Sequence, residues 1–332
     1  MRSSRQLGVL ILALLAFAGS LMLGCEGSNT KTLPVKKLRI GLMITPKGLN
    51  DKGFNDLAFV GLKAAERKYS IEPLVIEPAN IKDQEACLRF FAGQKLDVVI
   101  AVGVAFLDSI RQVTKEHPKL PFIVIDSTIA EGNIRGVAFR EEEGSMLCGY
   151  LAASMAKSKK VGFIGGVDIE VIRRFLDGFQ AGVALVSSDT AVMIKYVGTD
   201  FSGFNKPEEA KAMAMELYQN GCDVLFSAAG GSGLGVISAA VETRKYVIGV
   251  DMNQDSLAPG LVLTSMLKRV DLVVEDVVKT LSSGQGIEQV KKNYGLADGG
   301  VDITDFSFSR QSVGSDIISR LEQLRKSIVE GK

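Results

Sequence analysis

Residues 247–251 read Val-Ile-Gly-Val-Asp, and residues 122–126 read Phe-Ile-Val-Ile-Asp. Their closing acids stand 125 positions apart. Asp97-Val98-Val99-Ile100 is matched in the same way by Asp223-Val224-Leu225-Phe226, 126 positions on. A third pair joins Arg39-Ile40-Gly41-Leu42-Met43-Ile44 to Lys160-Val161-Gly162-Phe163-Ile164-Gly165. Each stretch is a short, nearly continuous apolar run, as expected of a strand buried on both faces of a parallel sheet. Segments with helical spacing lie between them. From 54 to 68 the apolar positions are Leu57, Ala58, Gly61, Leu62 and Ala65, one stripe of a helix. Strands alternating with helices define an α/β protein. The near-constant offset predicts two Rossmann-like lobes of one topology, each with a parallel sheet; chance likeness between generic strands is the competing explanation.

Further strands are expected at 74–76 and 98–102, with helices near 83–93 and 105–116. After Asp251 come a strand at 261–265, a helix at 270–281, a strand near 301–306 and a closing helix at 312–328. Two lobes with interleaved late segments resemble a type I periplasmic binding protein, in which the chain crosses between lobes three times. The crossings are placed near 138, 252 and 286. The first lobe then holds 38–138 plus 252–285, and the second 139–251 plus 286–332.

Composition narrows the function. The 332 residues carry 39 basic and 38 acidic side chains, a net charge of +1. A nucleic-acid binder driven by counterion release would show a basic surplus. The single histidine, His117, sits in the polar stretch Lys115-Glu116-His117-Pro118. One histidine rules out multi-His metal sites and weakens any Ser-His-Asp reading. No nucleophile–base pair is apparent, so no enzyme, metal or cofactor is expected. Trp is absent, which leaves Phe and Tyr for any aromatic platform. Cys87, Cys148 and Cys222 match no metal spacing and read as buried free thiols, with one disulfide left open.

The chain begins MRSSRQLGVLILALLAFAGSLMLGC. Arg2 and Arg5 precede an uncharged apolar run from Leu7 to Leu23, the shape of an export signal. Leu21-Met22-Leu23-Gly24-Cys25 is similar to a bacterial lipoprotein signal. That similarity implies removal of 1–24 and lipid modification of Cys25; an uncleaved membrane anchor is the alternative. Either reading places the folded part outside the cytoplasm, tethered in the cell envelope. Residues 25–37 read as a flexible linker.

In open α/β sheets ligands bind beyond the carboxyl ends of the strands. Residues predicted there include Asn50, Asp51, Phe54 and Asn55 after the first strand, and Asp126 after the fourth. Phe204, Gly230 and Asp251 stand at the strand ends of the second lobe, and Lys268 follows the strand at 261–265. Carboxylates accept paired hydrogen bonds from vicinal hydroxyls or ring N–H groups, and Phe faces can sandwich a flat heterocycle. The set suits a polyhydroxylated ligand with a planar ring, such as a nucleoside. Asp51 or Asn50 can equally cap the following helix. Phe201 rivals Phe204, and Lys268 can be a solvated charge. Gly230-Gly231-Ser232-Gly233-Leu234-Gly235 follows a strand and opens a helix but lacks the P-loop ending; it reads as a tight turn or a ribose contact.

Several of these stretches resemble the basic membrane protein family of lipoprotein substrate-binding subunits of ABC transporters, of the purine nucleoside receptor type. The residues that carry the resemblance are Asn50-Asp51-Lys52-Gly53-Phe54-Asn55, Glu142-Glu143-Gly144-Ser145, Lys160 through Gly166, and Ala229 through Gly233. Ile248-Gly249-Val250-Asp251 with Gln254, and Leu263 through Lys268, complete it. It implies that Phe54 and Phe204 sandwich a purine base and that Asp251 and Lys268 hold the ribose. Asp126 and the Asn50/Asp51 turn would address the base, with Gly53 where the family usually has Ser. It also implies a permease partner; the receptor itself is expected to be a monomer. A sugar receptor, a surface adhesin and a nucleoside hydrolase are the rival readings.

Overall fold

The computed structural model describes residues 37–46 and 48–332; the signal segment and Cys25 lie outside them. The first lobe begins β1 (Leu38–Met43), α1 (Phe54–Lys68), β2 (Ile71–Ile76), α2 (Gln84–Gly93), β3 (Val98–Ala101), α3 (Leu107–Glu116), β4 (Phe122–Ile125), β5 (Ala130–Glu131) and β6 (Ile134–Phe139). The second follows with α4 (Glu141–Met155), β7 (Lys160–Val167), α5 (Glu170–Val186), β8 (Ala191–Gly198), α6 (Pro207–Gln219), β9 (Val224–Ala228), α7 (Gly233–Thr243), β10 (Tyr246–Asp251) and β11 (Val262–Lys268). The last elements are α8 (Val270–Ser282), β12 (Asn293–Tyr294), β13 (Val301–Ile303), α9 (Arg310–Val313) and α10 (Ser315–Val329).

One sheet runs β12-β6-β4-β3-β1-β2, with β5 against β6, and the other β13-β11-β10-β9-β7-β8. The paths β2-β1-β3-β4-β6 and β8-β7-β9-β10-β11 share one order, and every pairing within them is parallel. The offset in the sequence therefore marks a true structural repeat. Asp126 and Asp251 both have φ of 68°. This left-handed conformation is rare outside Gly, and Asp is among the few residues that tolerate it. The two acids occupy equivalent turns at the fourth strand of each lobe.

The lobe boundaries differ from those expected. β6 had no clear signal, because Arg135 and Gly136 interrupt its apolar run. The sequence places 252–285 in the first lobe, yet β11 pairs with β10 in the second sheet. The loop before β11 holds it there. The Gln254 N–H donates to Ser265 Oγ at 2.9 Å, and the Ser265 hydroxyl donates to Asp255 Oδ1 at 2.7 Å. Behind them the hydroxyls of Thr264 and Thr304 are 2.7 Å apart. The second crossing thus falls at Arg269, and α8 returns to α1, where Gly61 lies against the backbone of Asp271. The third lies between β12, which joins the first sheet beside β6, and β13, which runs antiparallel to β11 in the second. The crossings stand near 140, at 269 and between 295 and 300.

Helices α4 and α5 approach closely through glycines. A Cβ on Gly182 would lie 2.0 Å from the Met146 carbonyl oxygen, and one on Gly149 2.0 Å from that of Phe179. Gly182→Ala should therefore cost about 1–3 kcal/mol through overpacking. A lowered urea midpoint with an unchanged slope is the expected result; an unchanged midpoint would contradict this helix contact. The three cysteines are free thiols, with Cys148 and Cys222 buried and Cys87 partly exposed. Among the described residues no helix is long and apolar enough to cross a membrane.

Candidate ligand-binding cleft

The carboxyl ends of the two sheets converge on a cavity of about 610 Å³. Asp51, Phe54, Asn55, Asp126, Phe204, Gly230, Asp251 and Lys268 line it. Asn50 does not. It is exposed, holds φ of 71°, and donates its backbone N–H to Asp56 Oδ1 at 2.8 Å. Its role is to shape the turn, not to face the cavity. The lobes touch at this rim, where Gln254 Nε2 donates to the carbonyl of Lys52 at 2.9 Å.

The turn before α1 consumes its own polar groups. The Asp51 carboxylate accepts the backbone N–H groups of Gly53, Asn55 and Asp56 at 2.9–3.2 Å. It also accepts Asn55 Nδ2 at 2.9 Å. Asn55 Oδ1 in turn accepts the Thr45 N–H and hydroxyl. The orphan donors of a helix start are satisfied in this way, so Asp51 is a cap first. Burial pushes the Asp51 carboxyl above its ordinary range, and these hydrogen bonds pull it back. Asp51→Ala should destabilise the protein by about 1–2 kcal/mol. A shift of that size in thermal or urea unfolding checks it, and no shift would contradict the capping role.

Lys268 is not a solvated charge. It is 2% exposed, with Nζ 2.6 Å from Asp126 Oδ1 and 3.0 Å from Glu141 Oε1. Glu141 is fully buried and also meets Arg174 Nε at 2.7 Å. Three rings surround the ammonium: Phe54 and Phe139 at 5.0 Å and Phe175 at 5.4 Å from their centroids. Burial by itself would lower the Lys268 pKa. The carboxylates of Asp126, Glu141 and Asp251 outweigh it and hold the side chain charged. Burial raises the Asp126 carboxyl, while Lys268 opposes that rise. The ion pair spans the two sheets, since Asp126 directly follows β4 and Lys268 ends β11.

Asp251 is the uncommitted acid. It is 6% exposed and lines the cavity, and among the described residues no donor of the chain hydrogen-bonds its carboxyl oxygens. Burial pushes its pKa up to about 7 against the pull of Lys268. A Cβ on Gly53 would stand 3.3 Å from Asp251 Oδ2, so Gly at that place leaves room beside the acid. The aromatic walls come from both lobes. Phe54 starts α1; Phe201 and Phe204 lie in a short turn before α6, with centroids 6.4 Å apart and planes 28° from parallel. Both of the latter line the cavity. Gly230, with φ of 53°, packs beside Phe204 and gives it space.

Three contributors escaped sequence reasoning. Glu141 reads as the solvated first turn of an acidic helix start. Phe175 reads as core, and it is core, 2% exposed, while also lining the cavity. Gln84 carried no signal at all. Among the described residues no cluster of His, Cys, Asp and Glu could hold a metal ion.

The two repeated lobes around one polar and aromatic cleft define a type I solute-binding fold. An ABC transporter solute-binding protein from Aeropyrum pernix superposes with a TM-score of 0.78 at 23% identity, covering 89% of this chain and 92% of that one. One from Mycobacterium smegmatis does so with a TM-score of 0.64 at 18% identity, over 84% and 98%. Residues 38–331 match the family model of PnrA-like ABC transporter substrate-binding proteins. The chain belongs to that family, one of substrate-binding proteins and not of enzymes. Basic membrane protein A2 of Borrelia garinii is 28% identical, over 96% of this chain and 94% of its own length. The ABC transporter nucleoside-binding protein BmpA of Lactococcus lactis is 28% identical over 99% and 97%. The CD4+ T-cell-stimulating antigen of Listeria monocytogenes is 29% identical over 95% and 94%.

Proposed function

We propose that this chain is a lipid-anchored extracytoplasmic receptor that binds a nucleoside, a purine nucleoside first, and delivers it to the permease of an ABC transporter. The observation that carries the reading is Asp251: a buried carboxyl that no donor among the described residues hydrogen-bonds, in a cavity that Lys268, Phe54, Phe201 and Phe204 also line. A ribose offers two adjacent hydroxyl donors to such a carboxylate, and a purine offers faces to the rings. The cavity lies in the range of small-molecule sites, roughly 300–1,000 Å³. The name of the Lactococcus relative agrees. In this reading Phe54 and either Phe204 or Phe201 hold the base, and Asp251 with Lys268 holds the ribose. Asp126 faces the base from the first lobe. Ligand draws the lobes together as hinged bodies about the three crossings. The receptor acts as a monomer, held at the membrane through lipid on Cys25 after loss of 1–24.

Unfolding protein purified from its native host and identifying the released small molecule by mass spectrometry tests the ligand class. A nucleoside approaching one per chain is expected, and a sugar without a heterocycle would overturn the reading. Incorporation of an alkyne-tagged palmitate, lost in Cys25→Ala, is expected for the anchor. Equal labelling of both forms, or of neither, would remove it.

A further inference from the structure

The walls of the cleft can be sorted by which polar groups are free to meet a ligand. On the first lobe Asp51 and Asn55 are spent on the turn before α1, as the bonds above show. Asn80 is spent too: its Oδ1 accepts the Lys82 N–H and its Nδ2 donates to Asp83. Asp126 is paired with Lys268. Among the described side chains of that wall, Gln84, the first residue of α2, remains. It is 3% exposed and lines the cavity, and its Nε2 is buried with no acceptor among the described residues. Nearly every buried polar group in a folded protein has a partner, and one left without is costly. An apolar residue would suit the same buried face of α2 beside Leu88 and Phe91.

We infer that Gln84 is a specificity-determining residue, whose amide hydrogen-bonds the polar edge of the ligand's heterocycle. The inference rests on the nucleoside reading and adds a residue that neither the motifs nor the turn chemistry suggests. Ribose and base meet opposite demands along the cavity. Asp251 and Lys268 at the strand ends of the second lobe take the hydroxyl groups. The base extends between the Phe rings toward the first-lobe wall formed by Thr45, Asn80, Ile81 and Gln84. A primary amide presents a donor beside an acceptor, so it pairs with a ring edge offering the complement, as glutamine does with adenine. The C6 carbonyl and N1–H of hypoxanthine form one such edge. Unsubstituted purine lacks the exocyclic group and offers a single acceptor.

The test compares inosine with purine riboside, which differ only at that edge, on the purified chain stripped of carried-over ligand. Wild type should bind inosine at least about tenfold more tightly. A site built to hydrogen-bond a polar group rejects the analogue lacking it, because its own buried group is left unpaired. Gln84→Met should bring the two affinities within about twofold, mainly by weakening inosine. The penalty for removing the 2′-hydroxyl, read with 2′-deoxyinosine, should be the same in both proteins. Gln84→Ala provides a second variant should Met pack badly, and circular dichroism confirms folding of each. A gap between inosine and purine riboside that persists in both variants would overturn the assignment. So would an equal weakening of both ligands, which marks a purely structural residue. Failure of wild type to bind any nucleoside would instead remove the parent reading.

Discussion

Asp251→Ala is expected to weaken nucleoside binding by at least about 100-fold, because two charge-assisted hydrogen bonds of about 1.5–3 kcal/mol each are lost together. No nearby group can substitute: Asp51 is fully engaged and Asp126 is held by Lys268. Asp251→Asn is the companion variant, since Asn tolerates the φ of 68° better than Ala does. Titration calorimetry of both reads the loss, and an unchanged affinity would sink the site assignment. The same acid sets two pH dependences. Hydroxyl donors favour the ionised carboxylate, whereas the empty site holds Asp251 protonated below about pH 7. Affinity should therefore fall as pH drops below 7, up to about tenfold per unit, and Asp251→Asn should flatten that slope. Stability of the empty protein runs the other way. The folded pKa is raised from 3.8 to about 7, so the folded state binds the proton more tightly than the unfolded chain. The stabilisation is complete below pH 3.8 and is lost as pH rises through 7. That difference corresponds to about 4 kcal/mol. Urea unfolding across pH 4–8 should show that decline in wild type and not in Asp251→Asn.

Lys268→Met is expected to destabilise the fold by about 3–5 kcal/mol, the cost of removing one partner from a buried ion pair. It would leave Asp126 without its ion-pair partner and Glu141 with Arg174. Adding Asp126→Asn to that variant should restore a large part of the loss, because the stranded charge goes with it. Urea midpoints of the two single variants and the double variant form the cycle. A Lys268→Met protein as stable as wild type, or a double variant no better than the single, would contradict the bridge between the sheets.

The repeat was legible because parallel strands buried on both faces leave apolar runs, and an acid closing each fourth strand kept its place. Legibility failed where pattern and partner part ways. β11 reads as any buried strand, and only the side-chain bonds of Gln254, Asp255 and Ser265 decide which sheet it joins. Glu141 sits among three acids whose usual fate is solvent; a lysine from a strand more than a hundred residues later buries it. Asp51 and Asn55 were legible as residues of the cleft, but their engagement with backbone N–H groups and Thr45 is a matter of geometry. Asn50 was read one position too far into the site, since a left-handed turn directs it away from the cavity. Gln84 has no signature, because an amide at a helix start looks like any polar first-turn residue until its burial is seen.

The most direct measurement is calorimetric titration of the chain, stripped by unfolding and refolding, with adenosine, guanosine, inosine, uridine and ribose. Tight binding of the purine nucleosides, weak binding of uridine and none of ribose is the predicted result. Silence across the panel from protein shown to be folded, or ribose bound as tightly as inosine, would contradict the stacked-base site and with it the nucleoside reading.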